Sequence, residues 1–404
     1  MAAAALGIAI AAAGLPAAGA GAYLVTLAAA SFRRQRPTPA APPEPRLAVL
    51  VPAHDEEELV ARCVASLLDQ RYPRSAYRVI VIADNCGDAT ADLGRAAGAE
   101  VFERCDRNHL GKGYALRWAM DRLLTEPEPP DAVVVVDADS IADPELLVHL
   151  AGALAAGAHA AQAEYLVLAD GDSVRARLVS AAFLLFHRVR LGGRAALGMP
   201  ASLVGNGMLF SRRLLETLPW NAFTGVEDLE YTVELRLAGY RPRFVAAACV
   251  LGPVPHGYRG MRGQRLRWEG GRWHVVRSRL PSLVRHGLRR DPGVLDAAID
   301  LAVPPLGLLA MGTLAGGAVA AAAVALGIAP AWSLSPWLLS VAALAGFVLL
   351  GLRSAGAPAS VWLALLESPR FLVWKALTYA RIAAGFDPRR WERADRSGAV
   401  EGRP

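Results

Sequence analysis

Cysteine is scarce: Cys63, Cys86, Cys105 and Cys249 are the only four in 404 residues. None shows paired metal-ligand spacing, which argues against a zinc ribbon and against a disulfide-built scaffold. Charge is absent from two long stretches, Met1 to Ser31 and Leu301 to Leu352, although charged residues make up 20% of the chain. A hydrophobic content of 54% is therefore unevenly distributed, and the two stretches read as lipid-embedded. The same lack of ionisable side chains argues against a transporter, whose sites usually place such residues inside the spans. Aromatic residues are only 7% of the chain and do not interleave with the arginines, so the net charge of +6 implies no nucleic acid. Anionic lipid head groups are the simpler partner.

The first stretch, 1–31, is long enough for one helix across roughly 30 Å of hydrocarbon. Its positive charges, Arg33, Arg34 and Arg36, follow it instead of preceding it, as expected of an uncleaved anchor whose next segment is cytoplasmic. Residues 32–45 form a proline-rich linker, 46–285 a soluble domain and 286–300 a juxtamembrane segment. Within 301–352, Ala302 to Ile328 and Trp337 to Leu352 flank a loop with Pro330 and Pro336, which predicts a helical hairpin. A hairpin returns Arg353, Arg381, Arg389, Arg390 and Arg393 to the cytoplasm. The expectation is a multi-pass protein of the cell (inner) membrane with a cytoplasmic soluble domain. In 353–404, the stretch from Ser368 to Ala384 reads equally as an interfacial helix or as one packed on the soluble domain.

Within the soluble part, Leu47–Val51, Val79–Ala83 and Ala132–Val136 read as buried parallel strands. Leu59–Leu68 and Tyr114–Leu124 read as helices between them. This alternation predicts an α/β fold, a mostly parallel sheet flanked by helices, whose ligands sit beyond the carboxyl ends of the strands. Each of these strands runs into acid: His54-Asp55-Glu56-Glu57-Glu58, Asp84-Asn85-Cys86-Gly87-Asp88 and Asp137-Ala138-Asp139. Each loop alone is compatible with helix capping; together they describe a carboxylate-lined cleft.

Asp137 and Asp139 leave a strand as alternate residues, sharing a face. Two such carboxylates suit Mg²⁺ or Mn²⁺ held beside a diphosphate, although a turn or cap explains a lone D-x-D as well. Glu227-Asp228 opens a helical pattern; it reads either as an ordinary helix start or as the general base for an acceptor hydroxyl. Gln264, Arg267 and Trp268 share one helix face, which suits a diphosphate beside a sugar ring and equally a membrane-interface helix.

These residues, in order, resemble family 2 glycosyltransferases of the GT-A fold, in particular the membrane branch with cellulose, chitin and hyaluronan synthases. The likeness covers about Arg46 to Arg285. It rests on P-A-H-D-E-E at Pro52, A-D-N at Ala83, G-K-G-Y-A-L at Gly111, D-A-D at Asp137, E-D at Glu227 and Q-R-L-R-W at Gln264. The resemblance implies a GT-A nucleotide-sugar-binding domain between N- and C-terminal transmembrane helices. It implies nucleotide contacts at Ala53, Glu56, Asp84, Lys112 and Asp137, and a metal ligand at Asp139. It makes Asp228, with Glu227, the catalytic pair, and gives Gln264, Arg267 and Trp268 the diphosphate and acceptor border. Gly205 and Asn206 lie where the family's loop approaches the acceptor. His54-Asp55 replaces a more usual Tyr-Asn or His-Asn, and Val226 replaces a threonine, which blurs substrate preference.

The reaction so implied is an inverting transfer from a nucleotide sugar, a UDP-sugar by resemblance, to a membrane lipid or glycan acceptor, giving a β-glycoside. Three spans are few for a polymer channel; as a processive polysaccharide synthase, the chain would need a homo-oligomer or partner subunit to complete one. A sugar nucleotidylyltransferase should carry a glycine-rich loop after the first strand, where this chain is acidic. A noncatalytic nucleotide-binding scaffold is separated from an enzyme only by turnover.

Overall fold

A computed structural model describes residues 1–33, 44–168, 173–253, 258–370, 372–373 and 376–377; the side chains of 258–269 lie outside that description. The chain divides into two compact units. One comprises Met1–Arg34, Asp172–Leu197 and Ile299–Asp387; the other comprises Gln35–Gly171, Gly198–Ala298 and Pro388–Pro404.

The larger unit is built on an eight-stranded sheet: β1 Leu47–Ala53, β2 Tyr77–Asp84, β3 Glu100–Arg104, β4 Ala132–Val135, β5 Ile141–Ala142, β6 Ala160–Val167, β7 Met208–Ser211 and β8 Arg243–Gly252. Their order is β3-β2-β1-β4-β7-β6-β8-β5. The pairs β1/β2, β2/β3, β1/β4 and β6/β8 are parallel. β7 runs antiparallel to both β4 and β6, and β5 to β8. The uninterrupted apolar runs of β1, β2 and β4 follow from burial on both faces. Val49, Val51, Val79, Val81 and Val134 face the helices Val60–Leu68 and Leu146–Ala155. Ala48, Leu50, Ile80, Ile82, Val133 and Val135 face the helix Lys112–Leu124 and the aromatic trio Phe210, Trp220 and Tyr231. A two-sided core leaves the strand ends as the place where polar groups collect.

Among the described residues, the smaller unit contains three helices long and apolar enough to cross a membrane: Ala2–Ala30, Leu306–Ala325 and Ala331–Ser354. At about 1.5 Å per residue, the 20 residues of Leu306–Ala325 match a hydrocarbon core of about 30 Å. The segment between β6 and β7 also belongs to this unit: Val174–Phe183 and Leu191–Ala196 are α-helical, and Leu184–Arg190 between them is a π-helix. Two of its arginines, Arg190 and Arg194, are paired with one carboxylate inside the unit. Asp300 Oδ1 accepts from Arg190 Nη2 at 2.8 Å and from Tyr23 Oη at 2.9 Å, and Arg194 Nη1 donates to Tyr23 Oη at 2.5 Å. Arg190, Arg194 and Asp300 are all buried, so each charge depends on these partners.

Candidate active site

The loops after β1 and β2 are locked together before any ligand is considered. Asp55 and Asn85 both take left-handed backbone, with φ of 54° and 52°. Asp55 Oδ1 accepts from Gly87 N at 2.7 Å, Glu56 N donates to Thr90 Oγ1 at 2.8 Å, and His54 Nδ1 lies 2.7 Å from Asp84 O. Ala53 is buried at the end of β1. Asp84 ends β2 directly opposite Arg104, the last residue of β3, and their side chains pair at 2.6 Å. Burial pushes the Asp84 carboxyl up, and the Arg104 guanidinium opposes that rise. Arg104 was not anticipated as a site residue; its position across from Asp84 is a matter of strand register.

β4 delivers Asp137 and Asp139 on either side of buried Ala138, both carboxylates partly exposed. Lys112, at the start of the helix Lys112–Leu124, places Nζ 2.5 Å from Asp137 Oδ1 and 2.5 Å from Gly205 O. The same Nζ stands 3.8 Å from Glu227 Oε1. Burial lowers the Lys112 pKa, but Asp137 and Glu227 outweigh it and leave the ammonium raised and firmly charged. One lysine thus joins the D-x-D strand end, the Gly205 loop and the Glu227-Asp228 helix start.

Gly205 has φ of 82°, and a Cβ there would stand 3.3 Å from Asp228 Oδ2. A side chain would be strained and would crowd that carboxylate. Asn206 is fully buried. Its Oδ1 accepts from Asp137 N at 3.1 Å and its Nδ2 donates to Ser140 Oγ at 2.8 Å, so its side chain braces the D-A-D turn. Gln162 in turn holds the loop through Asn206 O and Val204 N, another brace the sequence did not signal.

Glu227 and Asp228 begin the helix Glu227–Leu237, where acidic side chains complement the dipole. Desolvation pushes both carboxyls up, Asp228 to about 7 with Glu227's charge as the next cause. A carboxylate titrating near neutrality fits a general base. Asp139 is placed beside Ser140, whose Oγ lies 3.1 Å from Asp139 Oδ1. Among the described residues, the groups close enough to share one ion are Asp55, Cys86 and Asp88, with ligand atoms within 4.8 Å of one another. Gln264, Arg267 and Trp268 fall on the helix Tyr258–Arg289, and their side chains lie outside the described set.

Residues 44–271 match the family model described as glycosyltransferase like family 2. The chain belongs to this family. A probable glycosyltransferase of Bacillus subtilis is 26% identical over 243 residues, 57% of this chain and 56% of that protein. A beta-monoglucosyldiacylglycerol synthase of Trichormus variabilis is 28% identical over 207 residues, 48% of this chain and 42% of that one. The chain thus spans about half the length of these curated relatives. In fold, this family 2 chain is similar to a mannosyltransferase from Pyrobaculum calidifontis solved with GDP-Man and Mn²⁺. The TM-score is 0.50 at 20% identity, covering 86% of this chain and 98% of that structure. That likeness agrees with the GT-A fold.

Proposed function

We propose that this chain is a membrane-anchored, inverting glycosyltransferase that moves a sugar from a nucleotide donor, a UDP-sugar, to a membrane lipid or glycan acceptor. The observation that carries the reading is the Lys112 bridge, which holds Asp137 of the donor-side turn against Gly205 and Glu227. Donor and acceptor chemistry have to meet within one such junction. The proposed membrane setting is supported by the three apolar helices, and the proposed cytoplasmic side of the catalytic unit by Arg33, Arg34 and Arg36 after the first of them. A relative named as a glucosyldiacylglycerol synthase supports a lipid acceptor.

Asp139, and Asp137 beside it, offer the hard oxygen donors that Mg²⁺ or Mn²⁺ prefers, and their shared exposure beside a buried alanine fits such an ion. The family resemblance makes Asp139 the ligand of choice, with Asp137, paired to Lys112, beside it. A bound divalent ion would supply charge neutralisation for the departing nucleoside diphosphate. Asp228 takes the proton of the acceptor hydroxyl as that oxygen attacks the anomeric carbon. Lys112 fixes Asp137 and the Gly205 carbonyl, so that the loop beside Asp228 cannot drift. Asp84, Ala53 and Glu56 border the nucleotide, and Arg267 is assigned to the diphosphate.

The test is release of nucleoside diphosphate from a panel of nucleotide sugars, with Mn²⁺, Mg²⁺ or chelator, in membranes supplied with lipid extract. Metal-dependent release from one donor, abolished in Asp139→Ala and reduced at least about a hundredfold in Asp228→Asn, is expected. Absence of turnover with every donor, or release indifferent to both substitutions, leaves a nucleotide-binding scaffold as the better reading.

A further inference from the structure

The loop that leads into Glu227 and Asp228 is gripped from two sides. On one side, Gly113 comes so near that an added Cβ would lie 2.2 Å from Ala222 O, and the Tyr114 ring stacks on Phe223 with centroids 4.4 Å apart and planes at 14°. Tyr114 and Gly113 follow Lys112 directly, so this grip belongs to the donor side of the site. On the other side, Glu230 Oε2 accepts from Phe223 N at 3.3 Å, from Thr224 N at 3.4 Å and from Thr224 Oγ1 at 3.1 Å. A single carboxylate oxygen therefore ties two successive amides and a hydroxyl of the loop to the helix that Asp228 begins.

Glu230 is itself held from a third element. Arg279 Nη2 lies 3.3 Å from Glu230 Oε1 and 3.4 Å from Glu234 Oε1, one turn further along the same helix. Both glutamates are largely buried, whereas Arg279 remains 36% exposed. Arg279 sits on the helix Tyr258–Arg289, and that helix also closes on the loop at Gly271, where an added Cβ would lie 2.9 Å from Val226 Cγ2. Gln264, Arg267 and Trp268 precede Arg279 on this helix by about three to four turns.

We propose that Glu230 and Arg279 are positioning residues that latch the 222–226 loop and thereby fix the carboxylate of Asp228 for proton abstraction. The inference deepens the proposed function and rests on it. Neither Glu230 nor Arg279 is among the residues assigned to donor or acceptor, so loss of the latch is expected to disturb the placement of the base and not the binding of the nucleotide. It also explains why the helix assigned to the diphosphate extends well past Trp268: its later turns hold the base.

The test uses the full chain in detergent or membranes, with Arg279→Met, Arg279→Lys, Glu230→Gln and the Arg279→Met/Glu230→Gln pair. Steady-state kinetics on the donor identified by the panel and amide hydrogen exchange across 221–228 are measured together. Arg279→Met is expected to lower kcat between about tenfold and a hundredfold with donor KM within about twofold. Arg279→Lys should restore most of it, and the pair should be no worse than Arg279→Met alone, because both remove one interaction. Exchange at Phe223 and Thr224 should quicken in Arg279→Met while the β1, β2 and β4 amides stay protected. Unchanged exchange in the loop overturns the latch, whatever the enzyme does with donors. Faster exchange with unchanged kcat, a raised donor KM at constant kcat, or additive losses in the pair overturn the positioning role. A wild type that turns over no donor brings down the proposed function instead, and with it the claim that the latch serves a base.

Discussion

Asp228 combines two pressures that a surface carboxylate escapes: desolvation and a second acid, Glu227, one residue away. Its carboxyl is pushed up to about 7, so the charged form needed to accept a proton is filled only as pH rises through neutrality. The sign of the dependence follows. With Asp228 as the proposed base, the reaction is expected to slow as this carboxyl is protonated on the acid side and kcat to level off on the alkaline side. Glu227→Gln removes the neighbouring negative charge and should move this acid limb to lower pH, whereas Lys112→Met removes an opposing positive charge and should move it higher. A pH–kcat profile checks both; a limb in the ordinary carboxylate range for the wild type, or shifts of the opposite sign, removes Asp228 as the titrating base. Lys112 had a signal in the sequence beyond its motif, since lysine occurs otherwise only at Lys375 among 43 basic residues that are nearly all arginine. Arg104 had none, because its pairing with Asp84 depends on β2 and β3 lying in register.

The elements that read clearly from sequence are those whose pattern is local. Val79–Ala83 lies within β2 and Ala132–Val136 covers β4, because a strand buried on both faces is a plain apolar run. The helix expected from Tyr114 begins two residues earlier, at Lys112, because Gly111 with φ of 117° sets the entry. β7 was not legible: Met208–Ser211 is four residues long and gains its identity from antiparallel partners on both sides. Nor was the 174–196 segment, whose apolar stretch 178–186 is too short for a span and is followed by Arg188, Arg190 and Arg194. Only in three dimensions do Arg190 and Arg194 meet the Asp300 carboxylate, with the Tyr23 hydroxyl as a further hydrogen-bond partner of Arg194. Packing among the apolar helices shows the same division. Gly7, Gly14, Gly21 and Ala28 recur every seven residues and are all buried, a periodic seam of small side chains that lets helices approach closely in lipid. Trp337 uses that space: a Cβ on Gly14 would lie 3.0 Å from its ring, and one on Gly316 of the next helix 2.1 Å. Gly316→Leu should therefore lower the thermal midpoint in detergent by several degrees, while Gly19→Leu, where a Cβ meets nothing within 4 Å, should leave it unchanged. Equal midpoints for the two variants would show that Trp337 does not fill this seam.

For the whole molecule, the positive-inside pattern and the chemistry of the donor make one joint demand. A nucleotide sugar carries a diphosphate that does not cross hydrocarbon, so the proposed function requires the unit holding Asp137, Asp139 and Asp228 to lie on the side where donors are made. On that proposal, with the three candidate spans all crossing, the turn after the helix Leu306–Ala325 is expected on the opposite side of the bilayer. Two cysteine positions separate these compartments. Cys105 is exposed on the catalytic unit, and Leu326 is 74% exposed just beyond that helix. With Cys86 and Cys249 changed to serine, a membrane-impermeant maleimide should label Cys105 in inside-out vesicles and spare it in intact cells. Leu326→Cys, in a background that also carries Cys105→Ser, should label in intact cells. Labelling of both from one side would mean that the helix Leu306–Ala325 does not cross the bilayer. Labelling of Cys105 in intact cells would put the acidic strand ends outside, beyond reach of a cytoplasmic donor, and the transfer reaction would have to be abandoned even with every carboxylate correctly placed.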